Sequence, residues 1–178
     1  MSAIKLNSSG GGSITISPAS TASTLTLTAP AVTGTLGIQG PAFYAYQTAD
    51  QNISNATITA IVFQAELFDT NNNYDTSNGR FTPNVAGYYQ ISGSVRIGFG
   101  TGDYVYGLLK NGAEYGRFVQ NSTASTVGFL AFGGSNLVYM NGTTDYVQFM
   151  VYQGSGTTRA TLGNLIHSWF SGCMVRGA

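Results

Sequence analysis

The segment Tyr89-Gln-Ile-Ser-Gly-Ser-Val-Arg-Ile-Gly-Phe99 alternates apolar and polar side chains. Most of its odd positions are apolar, and the polar side chains occupy even positions: Gln90, Ser92, Ser94 and Arg96. In a β-strand, successive side chains point to opposite faces, so a period of two separates one face from the other. The pattern therefore predicts a strand with one buried and one solvated face, as in an antiparallel sheet.

Comparable strand-like segments recur on both sides of this one, at residues 58–63, 124–140, 146–152 and 164–175. Turn-forming pairs separate them: Asn78-Gly79, Asn111-Gly112, Gly133-Gly134 and Asn141-Gly142. Asn-Gly between alternating segments is the strongest short-range hairpin signal. No segment has the 3.6-residue apolar period of a helix, and the helix formers Glu, Lys and Arg are scarce. The chain is predicted to be all-β, a sandwich or a jelly roll.

A change in composition near residue 41 divides the chain. Residues 1–40 hold no aromatic residue and a single charge, on Lys5, whereas all ten Phe, eleven Tyr and the one Trp lie from Phe43 onward. The short alternations in this leader suit strands, although a disordered leader is the alternative. We predict an extended β and coil leader at 1–40 and a separate knob at 41–178. The leader residues expected to pair between chains or with a larger partner are Ile14, Ile16, Leu25 and Leu27.

The charge content excludes several kinds of partner. Charged residues make up 8% of the 178 residues and the formal net charge is zero, whereas typical domains hold roughly 25% charged residues. No basic patch is large enough for a phosphate backbone, so no nucleic-acid partner is expected. The apolar runs are shorter than the ~20 residues of a membrane helix, so no membrane insertion is expected. A chain this poor in charge is expected to associate with copies of itself.

Residues that carry enzymatic or metal chemistry are few. The seven carboxylates are scattered, and no pair lies beside an activating neighbour. One His and one Cys exclude two-His metal motifs and an intrachain disulfide. His167 is expected to be a hydrogen-bonded structural residue, and Cys173, which alternates with Trp169 and Ser171, to pack as a small apolar residue. We predict no enzyme and no cofactor.

The segment Asp69-Thr-Asn-Asn-Asn-Tyr-Asp75 offers alternating oxygen ligands of the kind that calcium prefers. However, Tyr74 stands where a helix-loop-helix calcium site needs its turn glycine, and Arg80 stands where the site needs its bidentate Glu. The segment is better explained as a turn that Asn and Asp side chains stabilise.

Tyr and Asn side chains in loops suit contact with sugars, because rings stack on sugar faces and amides hydrogen-bond to hydroxyl groups. Side-chain chemistry alone selects the candidates for a receptor or glycan contact: Asn71, Asn72, Asn73, Tyr74, Asp103, Tyr104 and Tyr115.

A series of short motifs follows in a fixed order along the second part of the chain. They are Pro41-Ala-Phe-Tyr-Ala45, Tyr74-Asp75, Gly79-Arg-Phe-Thr-Pro83, Ala86-Gly-Tyr-Tyr-Gln-Ile91, Leu109-Lys-Asn-Gly112, residues 137–147 and Trp169-Phe-Ser-Gly172. In this order they resemble the C1q-like domain of the C1q/TNF superfamily. The resemblance implies a trimeric jelly roll of about ten antiparallel strands. It also allows calcium at the trimer apex, which no motif here supports.

Two features depart from that family's pattern. Thr144 replaces the usual Gly before Asp145, and no collagen-like Gly-x-y stalk precedes the knob. In place of the stalk stand Gly10-Gly-Gly-Ser-Ile-Thr-Ile-Ser-Pro-Ala19, residues 24–30 and residues 33–36. These resemble leaders of structural proteins from tailed bacteriophages, especially cyanophages. The resemblance implies a virion protein that assembles in the host cytoplasm without a secretion signal and is exposed on the particle surface.

Two functions remain open at this point. The first is a homotrimeric short tail fibre or receptor-binding knob, whose tip loops contact host surface glycans. The second is a capsid decoration or cement protein, whose knob merely projects from the head. In both, residues 1–40 bind other virion proteins.

Overall fold

The computed structural model describes residues 4–7, 13–16, 40–124 and 128–178 of the chain. The chain divides into two compact units between Leu36 and Gly37, and each unit is described here by itself. The predicted division at residue 40 into leader and knob stays a prediction.

In the first unit, strands β1 (Ile4–Asn7) and β2 (Ser13–Ile16) form an antiparallel pair. The register sets Ile4 opposite Ile16 and Leu6 opposite Ile14. The strand predicted at Ile14 and Ile16 is therefore present, and it pairs within the chain. Leu25 and Leu27 lie outside the described residues, and the role of all four in attachment stays a prediction.

The second unit contains strands β3 to β15 and no helix among its described residues. Their bounds are β3 Ala42–Tyr46, β4 Asn52–Ile53, β5 Thr59–Ala60, β6 Ala65–Asp69, β7 Tyr74–Asp75, β8 Arg80–Phe81, β9 Gly87–Gly98, β10 Gly102–Lys110, β11 Ala113–Thr123, β12 Phe129–Met140, β13 Val147–Gln153, β14 Arg159–Ala160 and β15 Trp169–Gly177. Strands of two residues account for the excess over the predicted ten or so. The all-β prediction is confirmed.

Two sheets face each other across one core. The first, the five-stranded sheet, has the order β12-β9-β15-β3-β6, and the second, the six-stranded sheet, has the order β11-β10-β13-β8-β7 with β5 added beside β13. All the described pairings are antiparallel. The chain crosses repeatedly from one sheet to the other, for example from β8 to β9, from β9 to β10 and from β11 to β12, as in a jelly roll.

Aromatic rings fill the space between the sheets. The ring of Phe43 lies 4.3 Å from that of Phe81, and the ring of Phe149 lies 6.1 Å from those of Phe63 and Phe170. All five side chains are buried. Each contributes on the order of 1.5–3 kcal/mol through burial. The strand predicted from Tyr89 onward is β9, and its buried residues occupy alternate positions as predicted.

The predicted turns are partly correct. Asn111 and Gly112 both have positive φ, 53° and 81°, and join β10 to β11 in the predicted hairpin. The turn predicted at Gly133-Gly134 is wrong, because both residues lie within β12. A Cβ on Gly133 would stand 2.3 Å from the carbonyl oxygen of Gly93 on the neighbouring strand. That glycine therefore serves close approach of two strands rather than a turn.

Candidate functional site

The outward side of the five-stranded sheet carries a band of aromatic and aliphatic side chains. Tyr44 stacks on Trp169 with ring centroids 5.6 Å apart, and Tyr88 lies 5.4 Å from Tyr139. We call this surface the aromatic face; its members are Tyr44, Phe68, Tyr88, Phe129, Leu137, Tyr139, Trp169 and Val175. Six of them are exposed large apolar residues: Phe68, Tyr88, Phe129, Leu137, Tyr139 and Val175.

Charge is sparse on this face. The guanidinium of Arg96 lies 4.5 Å from the ring centroid of Phe129 and donates to Nε2 of His167 over 2.9 Å. His167 is thus hydrogen-bonded as predicted, although it precedes β15 instead of lying in a strand. Cys173 also points outward from β15 and is exposed in the single chain, so its predicted packing is wrong for the isolated protein. An apolar surface of this kind marks an interaction site.

The first and last strands of the knob have their outer termini at one end, and a group of loops lies at the other end. At one end, the amide of Met174 donates to Pro41 over 3.0 Å and the amide of Ala178 donates to Ala86 over 3.2 Å. The chain therefore enters and leaves the knob on the same side, which we call the leader end. The far end is formed by the loops at 47–51, 99–101, 154–158 and 161–168.

The outward side of the six-stranded sheet has a different chemistry. A cavity of about 410 Å³ opens there. Val105 and Met150 form its apolar floor, and both are buried although they point away from the core between the sheets. Tyr152 and Ile58 extend this apolar surface. We call this cavity the outer pocket.

Charged and amide groups form the rim of the outer pocket: Asp103, Glu114, Arg117 and Gln120. Arg117 forms an ion pair with Glu114 and also donates to the Gln120 side-chain oxygen over 2.7 Å. Hydrogen bonding from Arg117 lowers the pKa of Glu114, and the same pair raises the pKa of Arg117. Asp103 accepts a hydrogen bond from the hydroxyl of Ser122.

The predicted contact residues Asn71, Asn72 and Asn73 lie at the leader end. The Asp69 carboxylate accepts from the amides of Asn71 over 3.2 Å and Tyr74 over 2.6 Å, which closes a turn around them. Asn73 in turn accepts from the amide of Asn84 over 3.3 Å. The structure agrees with the predicted turn stabilised by Asn and Asp side chains.

Tyr74 and Tyr104 are corrections to the predicted contact set, because both are buried in the core. The Tyr74 hydroxyl accepts from the amide of Phe63 over 3.3 Å, and burial raises its pKa. The Tyr104 hydroxyl accepts from the amide of Gly100 over 2.8 Å. Each hydroxyl thus has a backbone partner, which lets a tyrosine occupy the core.

Asp103 and Tyr115 lie on the six-stranded sheet, away from the asparagine turn. Asp103 lies on the rim of the outer pocket. Tyr115 is exposed on β11, and its hydroxyl donates to the carbonyl of Leu137 over 3.5 Å, at the edge of the sandwich. The seven predicted residues therefore do not form one site.

The outer pocket contains residues that sequence reasoning missed: Glu114, Arg117, Met150 and Tyr152. A signal was present in β13, where the even positions Met150 and Tyr152 are apolar as well as the odd positions. When a strand is apolar on both faces, we expect both faces to be buried against other residues.

Metal binding and membrane insertion can be considered for the described part of the chain. Its residues include no cluster of three His, Cys, Asp or Glu side chains suited to hold a metal ion. None of its elements is a helix with the length and apolar character needed to span a membrane.

The fold and its faces define the protein as a jelly-roll sandwich with one aromatic outer face. The model of the C1q domain family matches residues 42–175. The chain therefore belongs to the C1q domain family, as the motif order predicted. A search of curated proteins finds no match to the chain.

Solved structures agree with this fold. The globular domain of zebrafish complement 1qA is 16% identical with a TM-score of 0.54, and the match covers 78% of this chain and 99% of that one. Murine APRIL at pH 8.5 is 6% identical with a TM-score of 0.58, covering 77% and 100%. The Eiger TNF of S. frugiperda is 11% identical with a TM-score of 0.56, covering 79% and 96%. At these identities the likeness is one of fold alone.

Proposed function

We propose that the chain is a non-enzymatic, homotrimeric surface protein of a phage virion. In this proposal it is a short tail fibre or receptor-binding knob that contacts host surface glycans. Residues 1–40 bind other virion proteins, and the knob is exposed on the particle. The phage assignment rests on the leader's resemblance described above.

The aromatic face supports the trimer. Exposed side chains such as Phe129, Leu137 and Tyr139 leave apolar surface in contact with water in a single chain. Closed rotational symmetry is the usual way to cover such a surface with copies of one chain. The low charge of the chain favours the same outcome, because few charges have to be buried in the interface.

The observation that carries the receptor-binding proposal is the separation of the two ends. The leader is joined at Gly40, beside Met174 and on the side of Ala86 and Asn71. A leader that binds the particle leaves the far end and the outward side of the six-stranded sheet free for a receptor. The asparagine turn at 71–73 lies at the leader end, and its contact with a receptor stays a prediction.

A decoration protein is the second candidate, and the pair β1 and β2 favours it. A two-stranded pair is marginally stable alone and gains stability when it adds to a larger sheet. A capsid lattice with an open sheet edge would offer such a partner.

Immunogold labelling of particles from the source of the protein separates these candidates. We expect label at the tail end. Label spread over the head would contradict the tail-fibre function and support a decoration protein. Adding the protein to particles should then raise capsid stability. Particles without label would contradict the phage assignment and leave a C1q-domain module with an unexplained leader.

A further inference from the structure

The outer pocket lies on the side of the knob opposite to the aromatic face. Its walls come from β10, β11 and β13, and none of these strands belongs to the five-stranded sheet. A trimer that closes through the aromatic face would therefore leave the pocket open to solvent. Its volume of about 410 Å³ falls within the roughly 300–1,000 Å³ of ligand sites.

The floor of the outer pocket is apolar and firmly held. Met150 is fully buried and Val105 is 6% exposed, so neither side chain is free to move away. The side chain of Tyr152 adds an aromatic surface beside them. A small apolar floor of this kind matches the C–H face of a pyranose ring, which has no charge and little polarity.

The rim of the pocket supplies hydrogen-bond partners for hydroxyl groups. The Asp103 carboxylate is exposed at the rim and, beside the bond it accepts from Ser122, a carboxylate has further acceptor sites. A carboxylate accepts two hydroxyl groups at once through its two oxygens, and bonds to a charged acceptor are the stronger ones. The amide of Gln120 adds a donor next to it.

The charges of the rim select against an acidic ligand. Arg117 is the one cation among the described residues of the rim, and it is already paired with the Glu114 carboxylate and the Gln120 oxygen. Asp103 then leaves the rim with a net negative charge. An anion would meet repulsion without a free cation to bind it, so the pocket favours a neutral ligand.

We infer that the outer pocket binds a neutral pyranose unit of a host glycan. Asp103 accepts hydrogen bonds from vicinal hydroxyl groups, and the ring packs against Tyr152, Ile58 and the small exposed part of Val105, with Met150 beneath them. This inference rests on the proposed receptor-binding function and deepens it, because it names the sugar class and the surface that contacts it.

The test is saturation-transfer difference NMR on the full chain. The probes are the methyl glycosides of glucose, galactose, mannose and N-acetylglucosamine, with N-acetylneuraminic acid as the charged comparison. We expect transfer to at least one neutral probe and none to the acid. Transfer to none of the neutral probes, or to the acid alone, would overturn the inference.

Variants locate the binding. Asp103→Asn should weaken binding of the neutral probe by at least about tenfold, and Tyr152→Leu should weaken it by a few fold through loss of the aromatic surface. Asp75→Asn is the matched control, because Asp75 is another exposed carboxylate that accepts from a serine hydroxyl, Ser77, outside the pocket. It should bind like the wild type. Equal binding by the wild type and Asp103→Asn would show that the sugar binds elsewhere.

Binding to host cells separates this inference from the proposed function. If cells bind the wild type and Asp103→Asn equally, the pocket inference is wrong and the receptor-binding function stands. If the wild type binds methyl glycosides but does not bind host cells, the pocket is a sugar site and the receptor-binding function is wrong.

Discussion

The outward sides of the two sheets both carry apolar side chains, but they differ in how far these side chains are covered within one chain. The six-stranded sheet buries its central outward residues Met150 and Val105 within the chain, and charged side chains surround them, while Ile58 at the edge of the pocket stays exposed. The aromatic face leaves Leu137, Tyr139 and Phe129 exposed, with Arg96 as a cation beside them. The first surface is largely covered within one chain, whereas the second is covered by other copies only in the proposed trimer. The comparison teaches that a low overall charge does not make every face of this knob a surface for self-association.

The largest expected effect is on assembly. Leu137→Glu places a charge on the aromatic face at a side chain that is 49% exposed in the single chain. It should therefore leave folding intact and convert a trimer of 18.7 kDa chains into single chains, because the interface would bury an unpaired carboxylate. Light scattering after size exclusion measures the mass.

The matched control is Ile58→Glu on the six-stranded sheet, at an aliphatic residue that is 44% exposed. It should keep the mass of the wild type. If Ile58→Glu dissociates the assembly and Leu137→Glu does not, the two faces have been assigned the wrong way round.

The next effect concerns the buried outward residue of the six-stranded sheet. Met150→Ala should lower the free energy of unfolding by about 2–4 kcal/mol, within the range for buried methionine. Val175→Ala on the aromatic face should change it by less than about 0.5 kcal/mol. Both are measured by urea unfolding in the Leu137→Glu background, so that assembly does not contribute. Similar losses for both variants would contradict the difference between the faces.

A third effect tests the close approach of β9 and β12 under the aromatic face. Gly133→Ala brings a methyl group against the carbonyl of Gly93 and should cost about 1–3 kcal/mol. Gly177→Ala in β15 of the same sheet meets no atom within 4 Å and serves as the control. Thermal unfolding of both variants in the same monomeric background measures the difference. An unchanged Tm for Gly133→Ala would show that the strands separate easily.

The smallest effect concerns the contact between the β10–β11 turn and the loop that precedes β13, at the leader end. Asp145 accepts from the Asn111 side chain over 2.8 Å and pairs with Lys110 at 3.0 Å. Hydrogen bonding from Asn111, with help from Lys110, lowers its pKa. The stability from this group is present above the pKa of the unfolded state and is lost as pH falls through the lower folded value.

Asp145→Asn should accordingly cost about 1 kcal/mol or less at pH 7, and the difference from the wild type should shrink as pH falls below the ordinary aspartate pKa of about 3.9. Unfolding by urea at pH 7, 5, 4 and 3 follows the difference between the two proteins. A difference that stays constant with pH would mean that the charge of Asp145 does not contribute.

Sequence reasoning was strongest where the backbone pattern is local. The alternation in β9 and the Asn111-Gly112 hairpin were readable because each depends on the residues themselves. The motif order was enough to predict the C1q domain, which the family model confirms.

Most of the candidate site could not be predicted from the sequence, because it depends on contacts between residues that are distant in the chain. Nothing local distinguishes the buried Tyr104 from an exposed loop tyrosine, because the difference is a backbone partner at Gly100. Gly133-Gly134 has the composition of a turn, and only the neighbouring strand shows that it is a close approach. Residues from three strands line the outer pocket, so no motif with a fixed residue spacing predicts it from the sequence. Of the seven predicted contact residues, Asp103 alone lines it.

The adjacency of Pro41 and Met174, and of Ala86 and Ala178, has a practical consequence. A domain whose first and last strands emerge side by side can be exchanged as a cassette, since a single junction region accommodates both chain ends. Recombination that swaps the knob onto another leader would then leave the far-end loops and the outer pocket untouched. In the proposed function, such an exchange would change attachment and recognition independently of each other.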